Sequence, residues 1–253
     1  MKKAIIVTSA IEVDNNYPLT YSQTRSFFGT EERFRQTAST VASLDQASDD
    51  DTTIFVIDIS DNYLNYGALL SYQPNLVFVG VKEKMPHIYQ SVRTHPNKSY
   101  CEQLILQTFL ETYSDVLNNY DFFFKFSGRY FVDRNFDMDQ FTAETKPGFY
   151  FKPPMKFTWN DNWGYEMVDR RSIQGDNNLY QYCSVLYGWH KDYMSRYIDI
   201  AKIIVEYCSS SSGMKYDVET LLYFFTRDYE DVITEMPWII YGWDGTSGRF
   251  LRY

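Results

Sequence analysis

In Lys125-Phe-Ser127-Gly128-Arg129, two cations flank a serine and a glycine at the end of an apolar run that begins at Phe122. Cations beside a glycine, which admits close backbone approach, suit a phosphate-bearing ligand, and strand ends in α/β sheets are where such ligands bind. The same residues also read as a solvated edge lysine followed by an ordinary Ser-Gly turn. Asp217-Val-Glu219 sets two carboxylates two positions apart at a helix start. On a helix they diverge by about 200°, so one can cap the helix while the other faces a ligand. Asp244 sits in the glycine-rich stretch from Gly242 to Gly248, an acid on a loop loose enough to close on a phosphate or a metal. Asp137-Met-Asp139 has two carboxylates at a spacing that hard divalent cations accept. It follows Asn135-Phe136 and opens what reads as a helical turn, so an N-cap is the competing reading.

A sheet is needed to bring these residues together. Ala4 to Val7 reads as a buried first strand ending in Thr8-Ser9, whose hydroxyls and backbone could contact a ligand. Arg25 and Arg33 follow, the latter in a helix predicted from an N-cap at Thr30 to about Ala47. Thr53 to Ile59 and Asn75 to Val81 repeat the buried-strand pattern. Ser99 to Glu102, next to Lys98, has the form of a capping box, and apolar spacing from Leu106 to Leu117 extends that helix into the strand Phe122 to Phe126. Beyond Arg129, the stretch Tyr130 to Tyr187 has no long helical period and reads as a smaller mixed region laid over the sheet. Strands are expected at Gly148 to Phe151, Tyr182 to Trp189 and Pro237 to Tyr241. Helices are expected at Lys191 to Cys208, stopped by Ser209 to Gly213, and at Asp217 to Phe225. The fold class is α/β with a mixed, mainly parallel sheet flanked by helices, in one domain whose halves divide near residue 130.

Composition removes several function classes. The 253 residues carry a net charge of −9, and no Lys/Arg run exceeds two, which argues against a nucleic-acid binder that must neutralise many phosphates. Three cysteines without CxxC spacing suggest neither a disulfide framework nor a zinc site, and point to the reducing cytoplasm. The apolar run after Met1-Lys-Lys is too short for a signal peptide or a membrane span. HExxH, GxSxG and GxxxxGK[ST] are absent and the histidines are scattered, so hydrolase and P-loop readings lack support. An aromatic share of 19% exceeds what the core needs; Tyr and Trp can stack on sugar rings or bases, or simply reflect lineage bias.

The order Ile5-Ile-Val-Thr-Ser9, Arg33-Phe-Arg-Gln-Thr37 with Ser43-Leu44, Lys98-Ser99-Tyr-Cys-Glu102, Phe124 to Tyr130, Asp217 to Tyr223 and Gly242-Trp-Asp-Gly245 resembles small GT-A-fold glycosyltransferase-like proteins of phage and bacterial genomes. The resemblance spans nearly the whole chain. It implies a nucleotide-sugar donor, such as a UDP-sugar, held by the N-terminal half (Thr8, Ser9, Arg25, Arg33, Lys98), and a carbohydrate or other hydroxyl acceptor held by the rest. It also implies a diphosphate and usually Mn or Mg at the end of the central strand. Lys125, Ser127, Gly128 and Arg129 stand there in place of the usual acids, and the two cations could themselves neutralise the diphosphate. Asp217 and Glu219 look like the acidic pair beside the acceptor, one member being the general base; with Asp217 nearer the helix start, Glu219 is left for chemistry and Asp244 is next in line. A non-catalytic nucleotide-sugar or carbohydrate binding protein of the same fold is the alternative.

Overall fold

The computed structural model describes residues 1–157, 179–210 and 217–253. The chain opens as β1 (Lys3–Ser9), α1 (Thr30–Gln46), β2 (Thr52–Asp58), α2 (Tyr63–Leu70) and β3 (Leu76–Gly80). Then come α3 (Val81–Lys84), α4 (Pro86–Thr94), α5 (Lys98–Thr112), α6 (Ser114–Leu117), β4 (Phe122–Ser127), β5 (Tyr130–Val132) and β6 (Phe149–Phe151). A hairpin of β7 (Met155–Phe157) and β8 (Leu179–Gln181) precedes β9 (Leu186–His190) and α7 (Met194–Ser209). The chain closes with α8 (Val218–Thr226), β10 (Ile233–Glu235), β11 (Ile240–Trp243) and β12 (Phe250–Arg252).

Seven strands form one sheet in the order β10-β6-β9-β4-β1-β2-β3, in which β9 runs antiparallel to both of its neighbours and the other pairs are parallel. This is the mixed, mainly parallel sheet that the sequence led us to expect. Helices cover both faces, so the central strands bury both of theirs, as parallel strands must. On β1, Ala4 and Ile6 pack against the layer of α4, α5, α7 and α8, while Ile5 and Val7 pack toward α1. On β4 the same alternation puts Phe123 in the first layer and Phe122, Phe124 and Phe126 in the second. Lys125 shares the side of Phe123 by that period of two, and its side chain is wholly buried. Many of the aromatic residues stack on one another within this core, as Trp189 does on Tyr197 (3.9 Å) and Phe151 on Tyr182 (4.1 Å).

Several local expectations give way to tertiary contacts. Thr30 is the first helical residue, with Gly29 in the cap position. Asn97, not Ser99, caps α5, accepting from the amides of Ser99 and Tyr100. This frees the Ser99 hydroxyl to accept from the Val218 amide, which joins the starts of α5 and α8. The helix predicted to run to Leu117 breaks at Tyr113 into α5 and α6. Strand β9 begins only at Leu186, leaving Tyr182 to Val185 as a connecting segment. β6 and β9 extend the main sheet instead of lying over it, whereas residues 158–178 of that stretch, like residues 211–213 of the predicted helix stop, lie outside the described residues. α2 and α4 went unpredicted. A second, three-stranded sheet of β12, β11 and β5 ends beside the loop that carries Asp244.

Candidate active site

β1 and β4 are parallel neighbours whose C-terminal ends open into a cleft of about 740 Å³, a volume suited to a small-molecule ligand. Thr8, Ser9 and Ser127 form its floor; the first turn of α5, the segment from Cys183 to Val185, the start of α8 and the loop from Asp244 to Thr246 form its walls. Gly128 is what lets the two strand ends close together. A Cβ there would lie 3.1 Å from the Thr8 carbonyl oxygen, to which the Gly128 amide donates at 2.9 Å. Its carbonyl accepts from Thr37 Oγ1 at 3.1 Å. The glycine therefore serves chain packing, and the expectation that it offers backbone to a ligand is not met.

One side of the cleft is cationic. Arg25, Arg33, Lys98 and Arg129 all line it. Arg25 is spent on structure, donating to the carbonyl oxygens of Tyr17, Val92 and His95 at 2.9 to 3.3 Å and so closing the C-terminal end of α4. Arg33 donates from Nε to the Ala10 carbonyl and from Nη1 to Ser26 Oγ. Burial and the neighbouring Arg129 push Arg33 down to about 9, against the pull of Asp58. Lys98, half-buried, is pushed down to about 7 by burial first and then by Arg129 and Arg33. Arg129 passes beneath the Asp244 loop, where Gly245 leaves room for it; a Cβ at Gly245 would stand 2.9 Å from Arg129 Cζ. Its Nε is buried and, among the described residues, has no hydrogen-bond partner.

The cleft also carries acids, at the start of α8 next to the start of α5. Asp217 accepts from the Thr220 amide at 2.9 Å and caps α8, the role that its place at the helix start suggested. Glu219, in the first turn of α8, lines the cleft and accepts a 2.5 Å hydrogen bond from Ser184 Oγ. Burial first and Asp217 second raise Glu219 to about 7, the Ser184 bond offsetting part of the rise. Such a carboxylate is a stronger base than an ordinary one and is still partly ionised near neutrality.

Lys125 does not reach the cleft. Its Nζ donates to Ser127 Oγ (2.8 Å) and to the Ser184 carbonyl (2.6 Å) and forms a 2.5 Å ion pair with Glu102. Glu102 Oε1 also accepts from Thr8 Oγ1 (2.8 Å) and Ser127 Oγ (3.1 Å). Burial works to raise the Glu102 carboxyl, yet the lysine and these donors hold it below its usual range. Neither reading of Lys125 made from the sequence survives: it is neither a solvated edge residue nor free to meet a diphosphate. A fully buried ammonium requires an acid and oxygen ligands, and the fold supplies both.

Asp244 Oδ1 accepts from the amides of Thr246 and Ser247 and from Thr246 Oγ1, all at 2.7 Å, and these bonds hold it down to about 2 despite burial. The acid organises its own turn, which makes it a poor proton acceptor. Asp137 accepts from the Asp139 amide at 3.0 Å, capping a short 3-10 turn, and both carboxylates are exposed outside the cleft. They are not a metal site of this cleft.

A divalent ion at the strand ends would need converging carboxylates. Among the described residues no group of three His, Cys, Asp or Glu comes together in that way. The cleft acids have other commitments: Glu12 to Asn62 and Tyr66, Asp14 to the Asn16 amide, Glu102 to Lys125, Asp217 to a helix start, Glu219 to Ser184 and Asp244 to its turn. The donor set among the described residues does not fit Mn or Mg.

Thr8, Ser9, Arg25, Arg33, Lys98, Ser127, Arg129, Asp217, Glu219 and Asp244 thus converge on one cleft, while Lys125, Gly128, Asp137 and Asp139 stand outside its lining. Reasoning from sequence missed Glu102 and Ser184. Glu102 had been absorbed into a capping box, although a lysine inside an apolar strand was itself a signal that an acid must meet it. Ser184 carried no signal.

No protein-family model and no curated protein sequence matches the chain. Solved structures do match in fold. Mouse xyloside xylosyltransferase 1 in its apo form aligns at a TM-score of 0.52 and 6% identity, covering 93% of this chain and 85% of that one. Core-mannan synthase A of Aspergillus fumigatus, in a Mn/GDP form, aligns at 0.51 and 11% identity, covering 95% and 74%. The fold is that of GT-A glycosyltransferases.

Proposed function

We propose that this protein transfers a sugar from a nucleotide-diphosphate donor to a hydroxyl acceptor. The observation that carries the reading is that one cleft, at the strand ends, brings the cations Arg129, Lys98 and Arg33 together with a carboxylate, Glu219, raised to about 7. Transfer from such a donor needs both. The leaving diphosphate gathers negative charge as the glycosidic bond breaks, and fixed cations stabilise it. The acceptor hydroxyl must lose its proton as the new bond forms, and Glu219 takes it. Ser184 holds Glu219 in place, and the Lys125–Glu102 pair holds Ser184 and the floor hydroxyls. In this reading residues 1 to about 130 bind the nucleotide and the remainder shapes the acceptor side. Fold likeness to transferases supports the reaction class, while the sugar and the acceptor are left open by it.

The test is a panel of nucleotide sugars assayed for donor binding by thermal shift and for release of nucleoside diphosphate, with and without manganese. Stabilisation by a nucleoside diphosphate together with slow donor hydrolysis is expected, because a ligand of the folded state raises Tm. Binding without any turnover would leave a nucleotide-sugar binding protein of the same fold. No shift with any nucleotide at millimolar concentration would remove both readings.

A further inference from the structure

Lys98 is the first residue of α5, a helix of 15 residues, so its ammonium faces the positive end of the helix dipole. It shares the cleft with Arg25, Arg33 and Arg129, and the acid that attracts it is Asp244. Cys101, one turn along α5, is a neutral thiol raised to about 11 chiefly by burial. Among the described residues no ion pair forms with Lys98, whereas Glu102 is already matched by Lys125 and Asp244 by its own turn. Glu12, Asp14, Asp217 and Glu219 also line the cleft, but the charges that act most on Lys98 are three cations, Arg129, Arg33 and Arg25, against one acid, Asp244. Burial first, then Arg129 and Arg33, push the Lys98 amine down to about 7, so it gives up its proton more readily than a solvated lysine.

We propose that Lys98 joins the ligand complex by taking up a proton, so that binding of a doubly charged diphosphate diester is coupled to protonation of this amine. The balance is simple: the neutral amine, one proton from solvent and the ligand give an ammonium paired with a phosphate oxygen, with no other bond made or broken. A ligand bringing one negative charge is met by the arginines alone, which makes Lys98 the residue that favours the second charge. This rests on the donor reading above.

UDP-glucose and GDP-mannose are suitable probes, since a diesterified diphosphate has no titrating group near pH 8. Calorimetry in two buffers of different ionisation heat, on the full chain, should show about one proton taken up per ligand at pH 8, with Kd rising roughly tenfold per pH unit above that. Lys98→Arg, permanently charged, should bind with no buffer-dependent heat and a flat pH profile. Glu219 also titrates near neutrality, so uptake that persists in Lys98→Arg and vanishes in Glu219→Gln would overturn the assignment. Binding of either probe without uptake would overturn the inference and leave the donor reading intact; no binding of any nucleoside diphosphate would remove both. Should Lys98→Arg fail to fold, 13Cε-lysine NMR of the parent protein decides the matter. One lysine signal should titrate near pH 7 alone and above pH 9 with ligand, and an unmoved titration would refute the coupling.

Discussion

Ser184 Oγ donates to Glu219 Oε1 at 2.5 Å, while the carbonyl of the same serine accepts from Lys125 Nζ at 2.6 Å. One residue in the short segment before β9 thus connects the Glu219 carboxylate on α8 to the ion pair that Lys125 of β4 makes with Glu102. That segment lies between the Glu219 carboxylate and the Lys125–Glu102 pair.

Glu219→Gln should keep the fold and donor binding and lose about 100- to 10,000-fold in transfer rate, the usual worth of a positioned general base. Steady-state kinetics with a saturating donor checks this. A variant that transfers at the parent rate moves the role to another residue.

The same substitution has a stability signature. Burial and Asp217 raise Glu219 to about 7 from the usual 4.5 of a glutamate, so the folded state holds its proton more tightly than the unfolded chain does. Its contribution is fully present below about pH 4.5 and is lost as pH rises through about 7. Parent and Glu219→Gln melting curves should therefore diverge between pH 5 and 8. The glutamine variant should be the more stable at pH 8 by on the order of 2 to 3 kcal/mol.

Ser184→Ala removes a bond that favours the ionised form of Glu219. The rising limb of the kcat against pH profile should move upward, with activity near pH 7 falling several-fold and recovering in part at higher pH. An unshifted limb would mean that the serine only packs.

Arg129→Ala should weaken nucleoside diphosphate binding by about tenfold or more, since a charge-assisted contact to phosphate is worth roughly 1.5 to 3 kcal/mol. Arg25→Ala should act on Tm instead, because its guanidinium is spent on three backbone carbonyls. Unchanged affinity in a folded Arg129→Ala protein would count against the donor reading.

Lys125→Met should destabilise by about 1 to 3 kcal/mol, because the part-exposed Glu102 loses its direct ion-pair partner and keeps only the influence of Arg129. The double change Lys125→Met with Glu102→Gln should recover much of that loss, a coupling that denaturant unfolding of the four proteins measures. Additive effects would show that the pair is not a unit.

Local pattern in the sequence was enough to place the strands β1, β2, β3 and β4, the helices α1, α5, α7 and α8, and the cap at Asp217, because burial on both faces and apolar helical spacing leave direct traces in residue order. Asp217 and Glu219 were separable by the same local geometry, 100° of helix per residue. What Lys125, Glu102 and Ser184 do was decided only by the tertiary structure. A lysine in an apolar strand demands a counter-ion, but residue order does not say that the acid comes from α5, 23 positions earlier, or that a carbonyl 59 positions later completes its shell. Nor could it say which cations of the N-terminal half keep free donors. Arg25 and Lys98 look alike in a sequence. Only packing turns the first toward backbone carbonyls and leaves the second at a helix start among arginines, where its charge depends on what the cleft holds.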